Sequence, residues 1–279
     1  MKFDDCKLFI VSLYYGIMKI QIMSEKVKLV DATVENAGQF AICGYKNPKN
    51  EGYKRKIEWI KEQLKNGLRY KFLVSGEKGA VGAIEYLPGE FAWRPVDAKN
   101  YMFIQCIYIM SKAFKGKGFG QIMLEACIED AKNDKMNGVT VVTRKGTWMA
   151  DKDLFEKNGF EVIDKAKPDF ELMVKKFDKN APDPAFKAVA SEISERYKNG
   201  LFIITSDQCV YTAKAINDIT KAAKEELNME ANVVQLSNHK EAQESPCAFG
   251  TFCIVYNGSV IAGHPISKRR FLNIMTKNK

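Results

Sequence analysis

Histidine is nearly missing from this chain: only His239 and His264 occur in 279 residues. With so few imidazoles, and no Cys-x-x-Cys pair, no metal site is expected. The seven cysteines (Cys6, Cys43, Cys106, Cys127, Cys209, Cys247 and Cys253) are scattered and odd in number. They make a poor disulfide framework, and a reducing cytoplasm is the expected compartment. Long apolar runs are missing too. Residues 8–18 form one near the N-terminus, short of the ~20 residues a membrane span needs. Lys19-Ile20-Gln21 behind it offers no small-residue cleavage site. Met18 and Met23 are alternative starts, so residues 1–24 are expected to be an extension outside the fold.

A basic block is the third absence. The net charge is +9, yet lysines and acids alternate, as in Glu125, Glu129, Asp130, Lys132, Asp134 and Lys135. This describes a solvated basic surface that suits a phosphorylated cofactor, and neither a nucleic-acid nor a membrane partner is expected. At 46% hydrophobic and 28% charged residues the composition is that of a folded protein. The length suits two domains of roughly 100–150 residues.

What is present reads as alternating strands and helices. A strand is expected at 27–30 and a helix at 51–65, where Tyr53, Ile57, Ile60 and Leu64 recur at helical spacing. Strands follow at 70–74 and 81–86, then a long loop at 87–100. Residues 101–110 (YMFIQCIYIM) are apolar on both alternate faces, the pattern of a central, buried strand. A glycine-rich turn leads to a helix from Gln121 to about Asp134, a strand at 139–143, a short helix at 151–157 and strands at 160–163 and 170–174. Residues 178–184 (DKNAPDP) read as a linker. Beyond it the expected order is helix 186–197, strand 201–205, helix 210–227, strand 233–236, a hairpin of 252–256 and 260–261 around Asn257-Gly258, and helix 268–275.

The informative motif is Lys115-Gly116-Lys117-Gly118-Phe119-Gly120, between a strong strand and a strong helix. Alternate glycines let the backbone turn tightly and point several N–H groups at one anion. The positive end of the following helix makes this a pyrophosphate cradle. A Walker loop is excluded because Gln121 follows the last glycine. A dinucleotide fingerprint is excluded because the glycines run GxGxG.

That run resembles the Arg/Gln-x-x-Gly-x-Gly/Ala signature of GNAT acetyltransferases, with Lys115 in the first position and Gly118 and Gly120 as its glycines. The preceding strand, the following helix and the later Leu154-Phe155-Glu156-Lys157-Asn158-Gly159-Phe160 fall in the family's order, and the resemblance covers roughly residues 27–177. Stretches such as PGEFAWRPVDA, KGKGFG, RKGTWMADKDLFEKNGF and PDFELMVKK resemble a YoaP-type subgroup, in which a small thioredoxin-like domain follows. The resemblance implies an α/β (α+β) fold: a mixed sheet with flanking helices that splays after its central strand, then a small thioredoxin-like α/β domain. The boundaries implied are 25–177 for the acyl-CoA-binding domain, 178–184 for the linker and 185–279 for the second domain. It further implies acetyl-CoA as co-substrate and direct transfer, in a ternary complex, to an amine of a small molecule or peptide. The backbone of Tyr108, Ile109 and Met110 would pair with pantetheine, with Lys115, Gly116, Lys117, Gly118, Phe119 and Gly120 at the pyrophosphate.

Transfer to an amine needs a base, an oxyanion donor and relief for the departing thiolate. Glu85, at a strand end, and Glu90, in the loop beyond, are the candidate bases, Glu85 being preferred. Backbone amides around Met110 are the oxyanion donors the resemblance implies. Where many relatives have a proton-donating tyrosine this chain has Phe155, which leaves water, Tyr108 or no acid. Trp93, Arg94 and Trp148 are candidates for a substrate groove or for loop packing.

In the second unit Cys209-Val210-Tyr211-Thr212 resembles a monothiol CxxT site, its cysteine at a helix N-terminus that would stabilise a thiolate. Cys247 or Cys253 could resolve it if folded nearby. Gly250 stands where a thioredoxin-like unit has a cis-proline, with Pro246 four residues early. Two other functions therefore remain open: a CoA-binding or interaction protein without catalysis, and a thiol redox or binding protein acting through the second unit.

Overall fold

A computed structural model of the chain describes residues 27–76, 78–110, 112–188 and 195–277. The expected N-terminal extension lies outside these residues.

Seven strands form one mixed sheet: β1 (Val27–Asp31), β2 (Arg69–Ser75), β3 (Gly79–Pro88), β5 (Tyr101–Ile109), β6 (Gly138–Thr143), β8 (Phe170–Lys176) and β7 (Glu161–Ala166), hydrogen-bonded in that spatial order. The strand with apolar residues on both faces, β5, lies at the centre. Its Met102 and Ile104 join a core beneath helix α2 (Phe119–Asn133), with Met123, Leu124 and Cys127. Its Tyr101 and Phe103 enter a second core on the opposite face, with Ile57 and Ile60 of helix α1 (Glu51–Leu64). Both faces are covered, as a continuous apolar run requires.

The centre of the sheet is irregular. Between β3 and β5 the register runs Glu85↔Cys106 and then Tyr86↔Ile104, which leaves Gln105 as the extra residue of a β-bulge. A bulge sets two residues of one strand against one of the other and bends the strand. Before it, odd-numbered residues of β5 face α1; after it Tyr108 does, while Ile107 and Ile109 face α2. The parallel pairing of β5 with β6 stops at the same place, Ile104↔Val141. From there β5 stays with β3 to Ile109↔Gly82, and β6 stays with β8 to Thr143↔Glu171. The sheet parts into a V.

A second sheet has the order β11 (Ala231–Gln235), β10 (Leu201–Thr205), β12 (Phe252–Tyr256) and β13 (Ser259–Ala262). β10 and β11 are parallel and the other pairs antiparallel. The parallel crossover is helix α4 (Thr212–Leu227), and α6 (Lys268–Lys277) closes the chain. A one-turn helix not evident in the sequence, α5 (His239–Gln243), precedes the hairpin, capped by the Asn238 side chain on the Glu241 N–H at 3.1 Å. A short helix α3 (Asp153–Glu156) carries Phe155 in the first unit.

The two sheets share one core: Trp93, Phe103 and Phe170 belong to the same buried cluster as Leu201, Phe252 and Phe271. Two contacts depend on glycine. A Cβ on Gly52 would lie 2.0 Å from the Val210 carbonyl oxygen, and one on Gly250 2.3 Å from that of Trp93. Gly250 also has φ +73°, which proline, fixed near −65°, cannot adopt. The only cis bond among the described residues is Lys167-Pro168, so Pro246 is trans.

The segment expected to be a linker is tied down. Tyr101 donates to the Pro182 carbonyl at 2.8 Å, and Lys176 reaches the Ala181 carbonyl at 2.7 Å and Asp183 at 2.6 Å. Two expectations about secondary structure are corrected here. Residues 87–100 are not all loop, since β3 runs to Pro88 and Val96–Asp97 is a strand, β4. The helix expected at 186–197 begins instead as strand β9 (Ala185–Phe186), paired with β4; residues 189–194 lie outside the described part. A two-residue strand carries no periodicity to detect.

Candidate functional site

The V holds a cavity of about 490 Å³, lined by residues 104–110 of β5 and its end, by β6 at Val141 and Val142, and by segments of both units. At one end sits the glycine loop. Gly116 and Gly118 have φ +72° and +79°, and a Cβ on either would meet nothing within 4 Å, so the inside of the bend is open. Residues 115–118 are exposed, and Lys115 lines the cavity. Gly118 is the N-cap of α2, which starts at Phe119, two residues earlier than expected. The first bond into the helix is Ile122 N–H to the Gly118 carbonyl, 3.1 Å. The amides of Phe119, Gly120 and Gln121 therefore have no partner within the helix.

Along the edge of β5, the Met110 N–H is already bonded to the Val81 carbonyl at 2.9 Å. It is thus not a free donor, contrary to expectation. Hydrogen-bonded and non-hydrogen-bonded pairs alternate on an antiparallel ladder. The neighbouring pair Gly82↔Ile109 therefore turns the Ile109 N–H away from β3 and into the V.

The other end of the cavity is polar. Glu85 is not at a strand end but well inside β3, and 2% exposed. Its carboxylate binds the Lys56 ammonium at 2.5 Å and accepts from Gln208 Nε2 at 3.1 Å. Lys56 rides on the buried stripe of α1, three residues after Tyr53, with its ammonium 4.1 Å from the Trp59 ring. That position on the stripe was the sequence signal for a buried lysine, and it was missed. Glu85 is the only carboxylate lining the cavity among the described residues. Glu90 is exposed, accepts from the Asn100 N–H at 3.0 Å, and is not part of the lining.

Tyr108 lines the cavity with its hydroxyl 3.0 Å from that of Tyr70, and it accepts from the Cys43 N–H at 3.3 Å. Burial pushes both phenols well above their ordinary range, so they keep their protons at neutral pH. Phe155 is fully buried against Phe160, ring centroids 5.4 Å apart, and does not reach the cavity. Of the groove candidates, Arg94 and Trp148 line the cavity. Trp93 is instead a core residue, donating from Nε1 to Gln63 at 3.2 Å.

The second unit supplies a wall through Gln208, Cys209, Val210, Tyr211 and Phe249. Tyr211 donates to the Cys43 carbonyl at 3.1 Å and stands edge-on to Trp148 at 5.2 Å. Cys209 does not open a helix, since α4 starts at Thr212. Burial raises its thiol pKa, against the expected stabilised thiolate. Cys43 and Cys106 line the same cavity; burial, and then the nearby Cys209, pushes Cys43 up to about 12. Cys247 and Cys253 are buried outside the lining.

Comparison with known proteins matches residues 39–160 to the model of the acetyltransferase (GNAT) family and residues 231–273 to that of the YoaP-like family. A relative in Bacillus subtilis (strain 168), described as an uncharacterized N-acetyltransferase YoaP, is 31% identical over 254 residues. The alignment takes in 88% of this chain and 97% of that protein. Among solved structures, a GNAT-family acetyltransferase from Staphylococcus aureus Mu50 is 16% identical, covering 55% of this chain and 99% of that one with a TM-score of 0.40. The PaiA N-acetyltransferase from Thermoplasma acidophilum, solved with coenzyme A, is 15% identical with the same coverages and TM-score.

Proposed function

The chain belongs to the GNAT acetyltransferase family and carries a YoaP-like C-terminal region, and on that premise we propose that it transfers an acetyl group directly from acetyl-CoA to an amine held in the V. The observation that carries this is one cavity reaching from Lys115, the residue that opens the glycine bend, along the edge of β5 unpaired with β6, to a single carboxylate. The residues fit the co-substrate. Amides of Phe119, Gly120 and Gln121 with Lys115 and Lys117 suit a pyrophosphate. On the same alternation the edge of β5 at Ile107 and Ile109, with the Tyr108 backbone turned to β3, suits the amides of the pantetheine arm, and the domain so formed corresponds to residues 25–177.

In this scheme Glu85, directly or through one water, takes the proton of the acceptor ammonium. The nitrogen attacks the thioester carbon, and the Ile109 N–H, rather than that of Met110, faces the developing oxyanion. When the carbon–sulfur bond breaks, the Tyr108 hydroxyl, which Tyr70 backs at 3.0 Å, passes its proton to the departing sulfur and receives the proton that the new amide nitrogen must shed, so that it stays neutral throughout. The second unit, residues 185–279, acts here as a wall of the acceptor site. Its strand order and crossover support the thioredoxin-like description, whereas the raised thiol pKa of the half-buried Cys209 argues against thiol exchange as its work. Free thiols at Cys43, Cys106, Cys127, Cys209, Cys247 and Cys253 accord with a reducing cytoplasm.

The test is acetyl-CoA binding by calorimetry and N-acetyl product by mass spectrometry across an amine panel. Gly118→Val forces a branched side chain into a left-handed conformation at about 1–2 kcal/mol, where an added Cβ meets nothing within 4 Å. Binding should weaken at least tenfold while the protein stays folded. Wild-type affinity in this variant would remove the cradle from the scheme.

A further inference from the structure

The charges at the acceptor end do not balance. Lys56 has Glu85, but Arg94, 4% exposed, has no carboxylate within 4.0 Å among the described residues. Its Nη1 donates to the Phe249 carbonyl, its Nη2 to the Gln105 carbonyl at 3.4 Å, and its Nε to nothing. The Phe249 ring lies 4.8 Å from the guanidinium. Burial pulls the Arg94 pKa down to about 10, which leaves it charged at neutral pH.

Gln105, the extra residue of the bulge, is 2% exposed and lines the same cavity. Its Oε1 accepts the Trp93 N–H at 3.1 Å, which fixes the orientation of the amide. Its Nε2, the remaining group, has no partner. Buried polar atoms are rarely left unsatisfied, and here two neighbouring ones are both donors, one of them on a cation. What completes them brings oxygen acceptors and a negative charge.

Resting on the acetyl-transfer scheme above, we propose that Arg94 and Gln105 form a carboxylate subsite, so that the acceptor is an amino acid-type amine. The guanidinium fork matches a planar carboxylate. The bulge turns Gln105 and Cys106 to one side of β5, and Glu85 faces Cys106 across the ladder, at about 4.5–5.5 Å between Cα atoms. Anion subsite and proton acceptor are therefore near neighbours, which selects an amine only a few bonds from its carboxylate. Because the Phe249 carbonyl holds Arg94, the second unit sets this specificity.

The experiment compares each amino acid with the amine lacking only the carboxylate, for instance glycine with methylamine and phenylalanine with phenethylamine. The carboxylate should raise kcat/KM at least about tenfold, as expected of charged hydrogen bonds. Gln105→Glu keeps an acceptor for the Trp93 N–H and gives Arg94 an internal partner. It should erase the preference while leaving acetyl-CoA affinity intact. Independently of turnover, CoA-loaded protein should bind N-acetylglycine and not N-methylacetamide by calorimetry, and Gln105→Glu should abolish that binding. Equal use of paired acceptors, equal binding of the two probes, or probe binding unchanged in Gln105→Glu overturns the subsite. Probe binding without acetylation of any amine would uphold the subsite and sink the transfer scheme.

Discussion

Exchanging Glu85 for glutamine removes one buried charge and leaves its partner. Lys56 and Glu85 are 3% and 2% exposed and 2.5 Å apart, so the variant strands an ammonium in the interior. Breaking a buried pair from one side costs about 3–5 kcal/mol. At roughly 2–4 °C per kcal/mol for a chain of this size, the unfolding temperature should fall by about 6–20 °C. Removing both charges with Lys56→Met and Glu85→Leu is close to neutral for such pairs. Gln208 then loses its acceptor, so recovery should stop about 1 kcal/mol short. The rate should behave differently. Neither variant has a group to take the ammonium proton, and loss of a general base costs about 10²–10⁴-fold. Thermal unfolding and acetyl-transfer kcat/KM, measured on the three proteins, separate the two roles. Should the double variant regain its rate along with its stability, Glu85 is only a structural partner of Lys56. A single variant that unfolds at the wild-type temperature refutes the pair energetics.

Two other predictions concern the join between the units. Gly250→Ala meets both a left-handed φ of +73° and the Trp93 carbonyl oxygen at 2.3 Å. Gly118→Ala meets the same kind of φ, +79°, and open space. Calorimetric unfolding should show a loss of about 1 kcal/mol at Gly118 and at least about twice that at Gly250; equal losses would mean the interface yields freely. His264 and His239 both have lowered pKa values, burial being the first cause in each. The unfolded chain binds more protons near pH ~6.5, so their contribution is complete above that pH and is lost as pH falls through it. Stability measured by urea unfolding from pH ~7.5 to ~5 should decline, and His264→Gln should flatten the decline; an unchanged slope would clear His264.

Long periodic elements were legible because their burial is written in the pattern. The two-sided run 101–110 became the central strand, and Tyr53, Ile57 and Ile60 became the inner face of α1. The glycine bend was legible because positive φ at Gly116 and Gly118 restricts residue choice. The polar end of the cavity was not. Gln105 is a lone polar residue in an apolar strand, and only the observed register shows it to be a bulge that re-aims everything after it. Glu85 was singled out without its partner, because Lys56 lies 29 positions away and sequence offers no distance between them. Cys209 was misjudged because a helix N-terminus was assumed where a buried turn precedes it. Arg94 reads as a loop residue until Phe249, 155 positions on, is seen beside it.

The tied-down segment between the sheets has a practical meaning. Tyr101, Lys176 and the β4–β9 pair hold residues 181–186 against the first sheet, so a cut there would expose apolar surface on each fragment and leave the cavity roofless. Neither fragment would then report on the intact protein. Conversely, grafting the C-terminal portion of a relative onto this first sheet would transplant one side of the chamber, and with it the choice of guest.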